Sequence, residues 1–270
     1  MNNPIGIFDS GVGGLTVVRE VMEQLPNENI LYFGDTARVP YGSKSEEDII
    51  RYSKQIMHFL ASQNVKAVII ACNSISCVAL EKLSDMFPIP IIDVINPGVS
   101  AALEVTRNNR IGVIGTEATI RNGAYGRLFE QKRPGVKVFS KACPLFVPMA
   151  EEGWTSNTVA TLTAEIYLQG FWACDIDTLV LGCTHYPLFA GVIRNLLSYA
   201  NIVDPAVATA RKMMSFLTEN NIARKELKPA HYEFYVSGNT AKFDEICNIV
   251  LNMKCSSVKV DIENVAHIEI

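Results

Sequence analysis

Val68-Ile69-Ile70-Ala71-Cys72-Asn73-Ser74 is a short apolar run closed by a small residue, a cysteine and two hydrogen-bonding side chains. The same construction returns at Leu179-Val180-Leu181-Gly182-Cys183-Thr184-His185. Apolar, β-branched runs of this length read as strands buried on both faces, as in a parallel sheet. A second pair precedes them: Ile5-Gly6-Ile7-Phe8-Asp9-Ser10 and Ile111-Gly112-Val113-Ile114-Gly115-Thr116. The spacing is alike in the two halves, with 63 residues from Asp9 to Cys72 and 67 from Thr116 to Cys183. The repeat predicts an α/β fold of two pseudo-symmetric lobes with mainly parallel sheets. Ligands of open parallel sheets bind beyond the carboxyl ends of the strands. Two such lobes face to face would put two cysteines across one cleft, which is where the active site is expected.

Working outward, strands are expected at 5–8, 30–34, 67–71, 89–93, 110–114, 137–140, 178–181, 202–204 and 233–236, with helical patterns between them. The stretch 45–64 is the clearest helix. Ser45 with Asp48 resembles a capping box, and Ile49, Tyr52, Ile56, Phe59, Leu60 and Gln63 trace one face, which is expected to pack on the core. Residues 1–95 then form lobe one and 96–206 lobe two.

Of the 270 residues, 49% are hydrophobic and 19% charged, with a formal net charge of -4. That balance leaves no basic stripe to neutralise phosphates, so nucleic acid is not an expected partner. The start of the chain lacks a basic segment followed by an apolar one, which speaks against a secretory signal. The longest apolar runs, such as 65–72, are too short to span a bilayer. Seven scattered cysteines suit a reducing cytoplasm better than a disulfide framework. Paired zinc-ligand spacing is missing: the closest cysteines are Cys72 and Cys77, and only His185 lies near a cysteine. His58 and His231 read as surface or packing residues, and His267 sits in a tail of little information.

A cysteine at a strand end is ordinarily a small buried hydrophobe, and Cys77, Cys143, Cys174, Cys247 and Cys255 are read that way. Cys72 and Cys183 differ because their settings match each other. Each stands where a helix could begin, and helix N-terminal amides lower a thiol pKa from its usual value of about 8.5. Gly11-Val12-Gly13-Gly14-Leu15-Thr16 also follows a strand, but Thr16 replaces the third glycine of a dinucleotide fingerprint and no Walker lysine follows. Its backbone amides suit a carboxylate or another anion. Asp9 is either a helix cap or a functional carboxylate.

Taken together and in order, Phe8-Asp9-Ser10-Gly11-Val12-Gly13-Gly14, Gly34-Asp35-Thr36-Ala37-Arg38-Val39-Pro40-Tyr41-Gly42, Ala71-Cys72-Asn73-Ser74 and Leu181-Gly182-Cys183-Thr184-His185-Tyr186-Pro187 closely resemble the bacterial glutamate racemase family. Gly115-Thr116-Glu117-Ala118-Thr119-Ile120 and Val147-Pro148-Met149-Ala150-Glu151-Glu152-Gly153 add to the likeness. The resemblance implies two α/β lobes around a shared cleft, with lobe one completed by about 207–270. It implies racemisation of glutamate without pyridoxal phosphate, metal or any other cofactor. Cys72 and Cys183 would be the two acid/base groups, Asp9 supporting Cys72 while His185 and Glu152 support Cys183. Asp9, Ser10, Tyr41, Gly42, Asn73, Ser74, Thr116, Thr119, Thr184 and His185 would bind or orient glutamate. The family role is supply of D-glutamate for peptidoglycan in the cytoplasm; a homodimer and a cell-wall nucleotide precursor as regulator are further family traits. Ser74 stands where the motif usually carries Thr, and Ala118 and Asn122-Gly123 also vary from the common pattern.

Two thiols suit this reaction, because a proton must leave one face of the α-carbon and another must arrive on the opposite face. Two fixed groups do this without either crossing the substrate. One must be a thiolate while the other is a thiol, so activity is expected to fall at both extremes of pH. Three rival readings predict different behaviour. Aspartate racemase of the same superfamily tends not to carry His at the position of His185, a single-cysteine thiol hydrolase needs only one essential thiol, and an amino-acid sensor binds without exchanging hydrogen.

Overall fold

A computed structural model describes residues 2–226 and 228–265; His267 lies outside them. The chain begins with β1 (Ile5–Asp9), α1 (Leu15–Gln24), β2 (Ile30–Gly34), α2 (Glu46–Ser62), β3 (Ala67–Ile70), α3 (Asn73–Met86) and β4 (Ile91–Asp93). Helix α4 (Ile95–Val105) leads into β5 (Arg110–Gly115), α5 (Glu117–Asn122), α6 (Ala124–Lys132), β6 (Lys137–Ala142) and α7 (Phe146–Glu151). There follow α8 (Thr158–Trp172), β7 (Thr178–Gly182), α9 (Ala190–Leu196) and β8 (Asn201–Val203). Helix α10 (Pro205–Glu219) returns the chain to β9 (Tyr232–Val236), α11 (Thr240–Leu251), β10 (Ser257–Lys259) and α12 (Ile262–Val265). All nine expected strands are present, their ends displaced by at most two residues, and β10 is an addition.

The strands form two wholly parallel sheets, ordered β10-β9-β2-β1-β3-β4 and β6-β5-β7-β8. The run β2-β1-β3-β4 repeats as β6-β5-β7-β8, so the correspondence seen in sequence is also one of strand order. Strands β1, β2, β3 and β7 are buried along their whole length, as parallel strands covered by helices on both faces must be. One core runs between the sheets, where Val17 and Val21 of α1, Val99 and Ala102 of α4 and Ala210 and Met213 of α10 meet Ile5, Ile7, Ile111 and Val113. Separate cores cover the outer faces, around Phe8, Phe33, Ile56 and Leu83 on the first sheet and around Phe146, Leu168, Leu181 and Phe189 on the second.

The helices begin where local chemistry tells them to. Ser45 accepts a hydrogen bond from the Asp48 amide at 3.1 Å and caps α2, whose Ile49, Ile56, Phe59 and Leu60 are buried while Tyr52 is half-buried and Gln63 exposed. Asp93 caps α4 through the amides of Ile95 and Asn96, and Asp204 caps α10 through Ala206. The returning C-terminal segment is fastened by a buried ion pair, Lys66 with Glu28. Glu28 also accepts from the Arg224 amide, and Lys66 donates to the Ile222 carbonyl. Among the described residues no helix is long and apolar enough to cross a membrane.

Candidate active site

Strand β3 ends at Ile70, and two residues later Cys72 occupies the N-cap of α3. Strand β7 ends at Gly182, and Cys183, Thr184 and His185 lead into a 3-10 turn at Tyr186–Phe189. Both thiols border one cavity of about 250 Å³. From the side of the first sheet it is lined by Ser10, Tyr41, Gly42, Cys72, Asn73 and Ser74. The side of the second sheet adds Thr116, Cys183, Thr184 and His185. Asp9 and Thr119 are buried one layer behind, each holding a residue of the lining.

Hydrogen bonds lace the two sides together. Thr184 Oγ1 donates to Asp9 Oδ2 at 3.1 Å, and Thr16 Oγ1 donates to the Thr184 carbonyl at 3.2 Å. Ser74 Oγ lies 2.9 Å from Thr116 Oγ1, which in turn is 3.0 Å from Thr119 Oγ1 and caps α5 by accepting from the Thr119 amide. The hydroxyl that Ser74 keeps is therefore the part used here. The Cys72 thiol donates to Ser10 Oγ at 3.6 Å, and Cys183 Sγ stands 3.9 Å from His185 Nδ1. Tyr41 donates to Asp35, a buried carboxylate also held by Arg38 and Ser237.

The expectation of lowered thiol pKa values is reversed by burial. Desolvation pushes Cys72 up to about 12, the negative charge of Asp9 adds to this, and the backbone amides of Ile75 and Ser10, with the Ser10 hydroxyl, offset only part. Cys183 is raised well above its usual value, again by burial first, with the His185 amide acting in the opposite direction. The helix-start donors are present, as the sequence suggested, but they lose to desolvation. Burial also raises Asp9, although His185 and hydrogen bonds from Gly11, Thr184 and Ser10 work against it.

The glycine loop proves to be a close-packing device. A Cβ on Gly13 would stand 2.4 Å from Thr184 Oγ1 and 2.6 Å from His185 Nδ1, so the opposite wall leaves no room for a side chain there. Gly42 is constrained likewise, since a Cβ there would be 2.7 Å from the Thr116 Cβ. Asp9 accepts from the Gly11 amide at 2.8 Å within the same loop. It is thus a buried carboxylate that orders the loop and grips the far side, rather than a cap of α1, which begins from Gly14.

Glu152 needs correcting. Its side chain is 67% exposed and pairs with Lys242 at 3.5 Å, away from the cavity. Its neighbour Glu151 lines the cavity and places Oε1 3.6 Å from His185 Nε2, a buried nitrogen with no hydrogen-bond partner. Helix phase decides between them: in α7, Val147 and Glu151 are four residues apart on the face toward the cavity. Val39, Pro144, Val147 and Pro148 also border the cavity and were not anticipated; apolar wall residues carry no chemical signature in a sequence.

The Asp/Glu/Hydantoin racemase family model matches residues 5–213. A glutamate racemase of Geobacter metallireducens is 48% identical over 255 residues, 94% of either chain. Among solved structures, a glutamate racemase of Francisella tularensis in complex with D-glutamate is 41% identical with a TM-score of 0.92, covering 97% of this chain and 99% of that one. A glutamate racemase isoform of Bacillus anthracis is 36% identical with a TM-score of 0.93, covering 96% and 97%. Matched in sequence and in fold over nearly its full length, the chain belongs to the Asp/Glu/hydantoin racemase family, in its glutamate racemase branch.

Proposed function

We propose that this protein interconverts L- and D-glutamate by two-base chemistry, with Cys72 and Cys183 as the acid/base pair. The observation that carries the reading is that both thiols, from matching strands of two similarly ordered sheets, border one cavity. In each direction one sulfur, as thiolate, takes the α-proton while the opposite thiol returns a proton to the other face. Neither sulfur then has to move across the substrate. The α-proton is a very weak acid, so the developing carbanion needs fixed donors and exclusion of water. Ser10, Asn73, Ser74, Thr116 and Thr184 are the donors in reach of an amino-acid carboxylate in the cavity, with Tyr41 and Gly42 closing its edge and Thr119 holding Thr116. Asp9 supports the Cys72 side. On the Cys183 side His185 fills that part, backed by Glu151 in place of Glu152.

The wider reading is D-glutamate supply for peptidoglycan, in the cytoplasm, by a chain able to pair as a homodimer and to respond to a cell-wall nucleotide precursor. Two structural units, 1–95 completed by 207–270 and 96–206, fit the division of strands between the sheets. The test is proton exchange by the purified, metal-chelated, pyridoxal-free protein with either enantiomer of glutamate in heavy water. The opposite enantiomer should appear carrying deuterium while unreacted substrate at first keeps its hydrogen. Absence of both inversion and exchange would sink the glutamate reading, and the same assay with aspartate then separates a wrong substrate from a wrong reaction.

A further inference from the structure

Asn73 sits at the start of α3, next to Cys72, and its side chain borders the cavity. A primary amide is nearly symmetrical in shape but not in charge. Turned one way it offers a donor to a carboxylate, turned the other way a repelling oxygen. Something must choose between the two, and the choice comes from the other side of the cleft. The phenol of Tyr125, on α6, donates to Asn73 Oδ1 at 2.7 Å.

Tyr125 is well placed to hold that bond. It follows Gly123, whose left-handed φ of 72° turns the chain sharply between α5 and α6. Its ring is 2% exposed and stacks near Phe129 with centroids 6.5 Å apart. The ring also lies on the strand that leads into Cys183: a Cβ on Gly182 would come within 3.2 Å of Tyr125 Cε2 and 2.7 Å of the Ile114 carbonyl. The small residue before Cys183 thus leaves room for the tyrosine. Burial, with neighbouring thiols and carboxyls, raises the phenol well above its usual pKa, so the hydroxyl stays a donor at any working pH. With that proton given to Asn73 Oδ1, the NH2 end of the amide is left for other partners.

We infer that Tyr125 is a positioning residue for the racemisation proposed above: it holds the Asn73 carbonyl so that the amide's NH2 end is offered to the substrate carboxylate. The inference rests on that reading of the cleft. Because α3 packs on the first sheet while the Tyr125 ring lies against Gly182 of the second, the bond also makes the donor depend on the two sides being correctly apposed.

Tyr125→Phe removes one oxygen and keeps the ring. The KM for both enantiomers of glutamate should rise roughly two- to tenfold, the worth of one net hydrogen bond, with kcat changed less. In an Asn73→Ala background the same substitution should leave KM nearly unmoved. A residue that only packs would affect the two backgrounds alike, so equal effects, or no effect beside a native Asn73, overturn the assignment. A second measurement needs no turnover. The side-chain amide 15N–1H signals of Asn73, identified by their loss in Asn73→Ala, should shift on Tyr125→Phe; unchanged signals would also overturn the inference. If the unsubstituted chain fails to racemise glutamate, the functional reading falls by itself and the amide signals still decide the hold of Tyr125 on Asn73.

Discussion

Cys72 carries a thiol pushed up to about 12, and this has a consequence for both chemistry and measurement. Only the thiolate is alkylated, so the iodoacetamide reactivity of Cys72 should keep climbing with pH, without levelling at the roughly 8.5 of an ordinary thiol. The same sign applies to catalysis: kcat/KM should rise from about pH 7 toward the alkaline side as the base form is populated. Asp9 raises the thiol further by its charge, so Asp9→Asn should move the alkylation profile of Cys72 to lower pH, read by peptide mapping. An unmoved profile would mean that Asp9 carries no charge beside Cys72. At this scale the sequence was most readable where chemistry and position coincide: a small residue, a cysteine and a polar group after a strand mark Cys72 and Cys183 without any knowledge of the fold. The direction of their pKa shifts was not readable, because helix-start donors are local whereas desolvation depends on everything the fold packs around the thiol.

Helix α7 shows where such reading stops. Two adjacent glutamates have the same chemistry, and only the phase of the helix tells which of them faces the cavity. Glu151→Gln should lower kcat/KM several-fold, because it removes the carboxylate that faces the buried His185 Nε2 across the cavity. Glu152→Gln should stay within about twofold, since its partner Lys242 is a solvent-exposed one. Equal losses from the two would remove the distinction drawn here. The period was available in Val147 and Glu151, four residues apart, but nothing in one sequence says which face of a short helix meets the cleft. The glycine loop poses the same difficulty, for the groups that exclude a side chain at Gly13 lie some 170 residues downstream, at Thr184 and His185. Strand β10 was silent for another reason. Its three residues lie at a sheet edge, partly or wholly exposed, and carry no buried alternation to detect.

Over the whole molecule, the two sheets were predictable because their central strands are buried on both faces and read as unbroken apolar runs. How the C-terminal segment closes the first sheet came only through family resemblance. The buried pair of Lys66 and Glu28 is part of that closure, holding the return at Ile222 and Arg224. Glu28→Ala leaves a buried ammonium without its partner and should cost about 3–5 kcal/mol in unfolding free energy, read by urea or thermal denaturation. A loss under about 1 kcal/mol would show that the return is fastened elsewhere. Glu28→Gln, which can still accept from the Arg224 amide, should cost less.

Strand β2 pairs along one edge with β1 and along the other with β9, from Ile30 opposite Tyr232 to Gly34 opposite Val236. On the ribosome these partners are separated by most of the message. At roughly 5–20 residues per second, β2 waits about 10–40 s after its own synthesis for the strand that covers it. Throughout that interval Leu31, Tyr32 and Phe33 border an unpaired edge of the nascent chain, the kind of template that recruits other strands. The architecture that puts two thiols into one cleft therefore hands its first half, during every round of translation, to whatever guards unfinished proteins from one another.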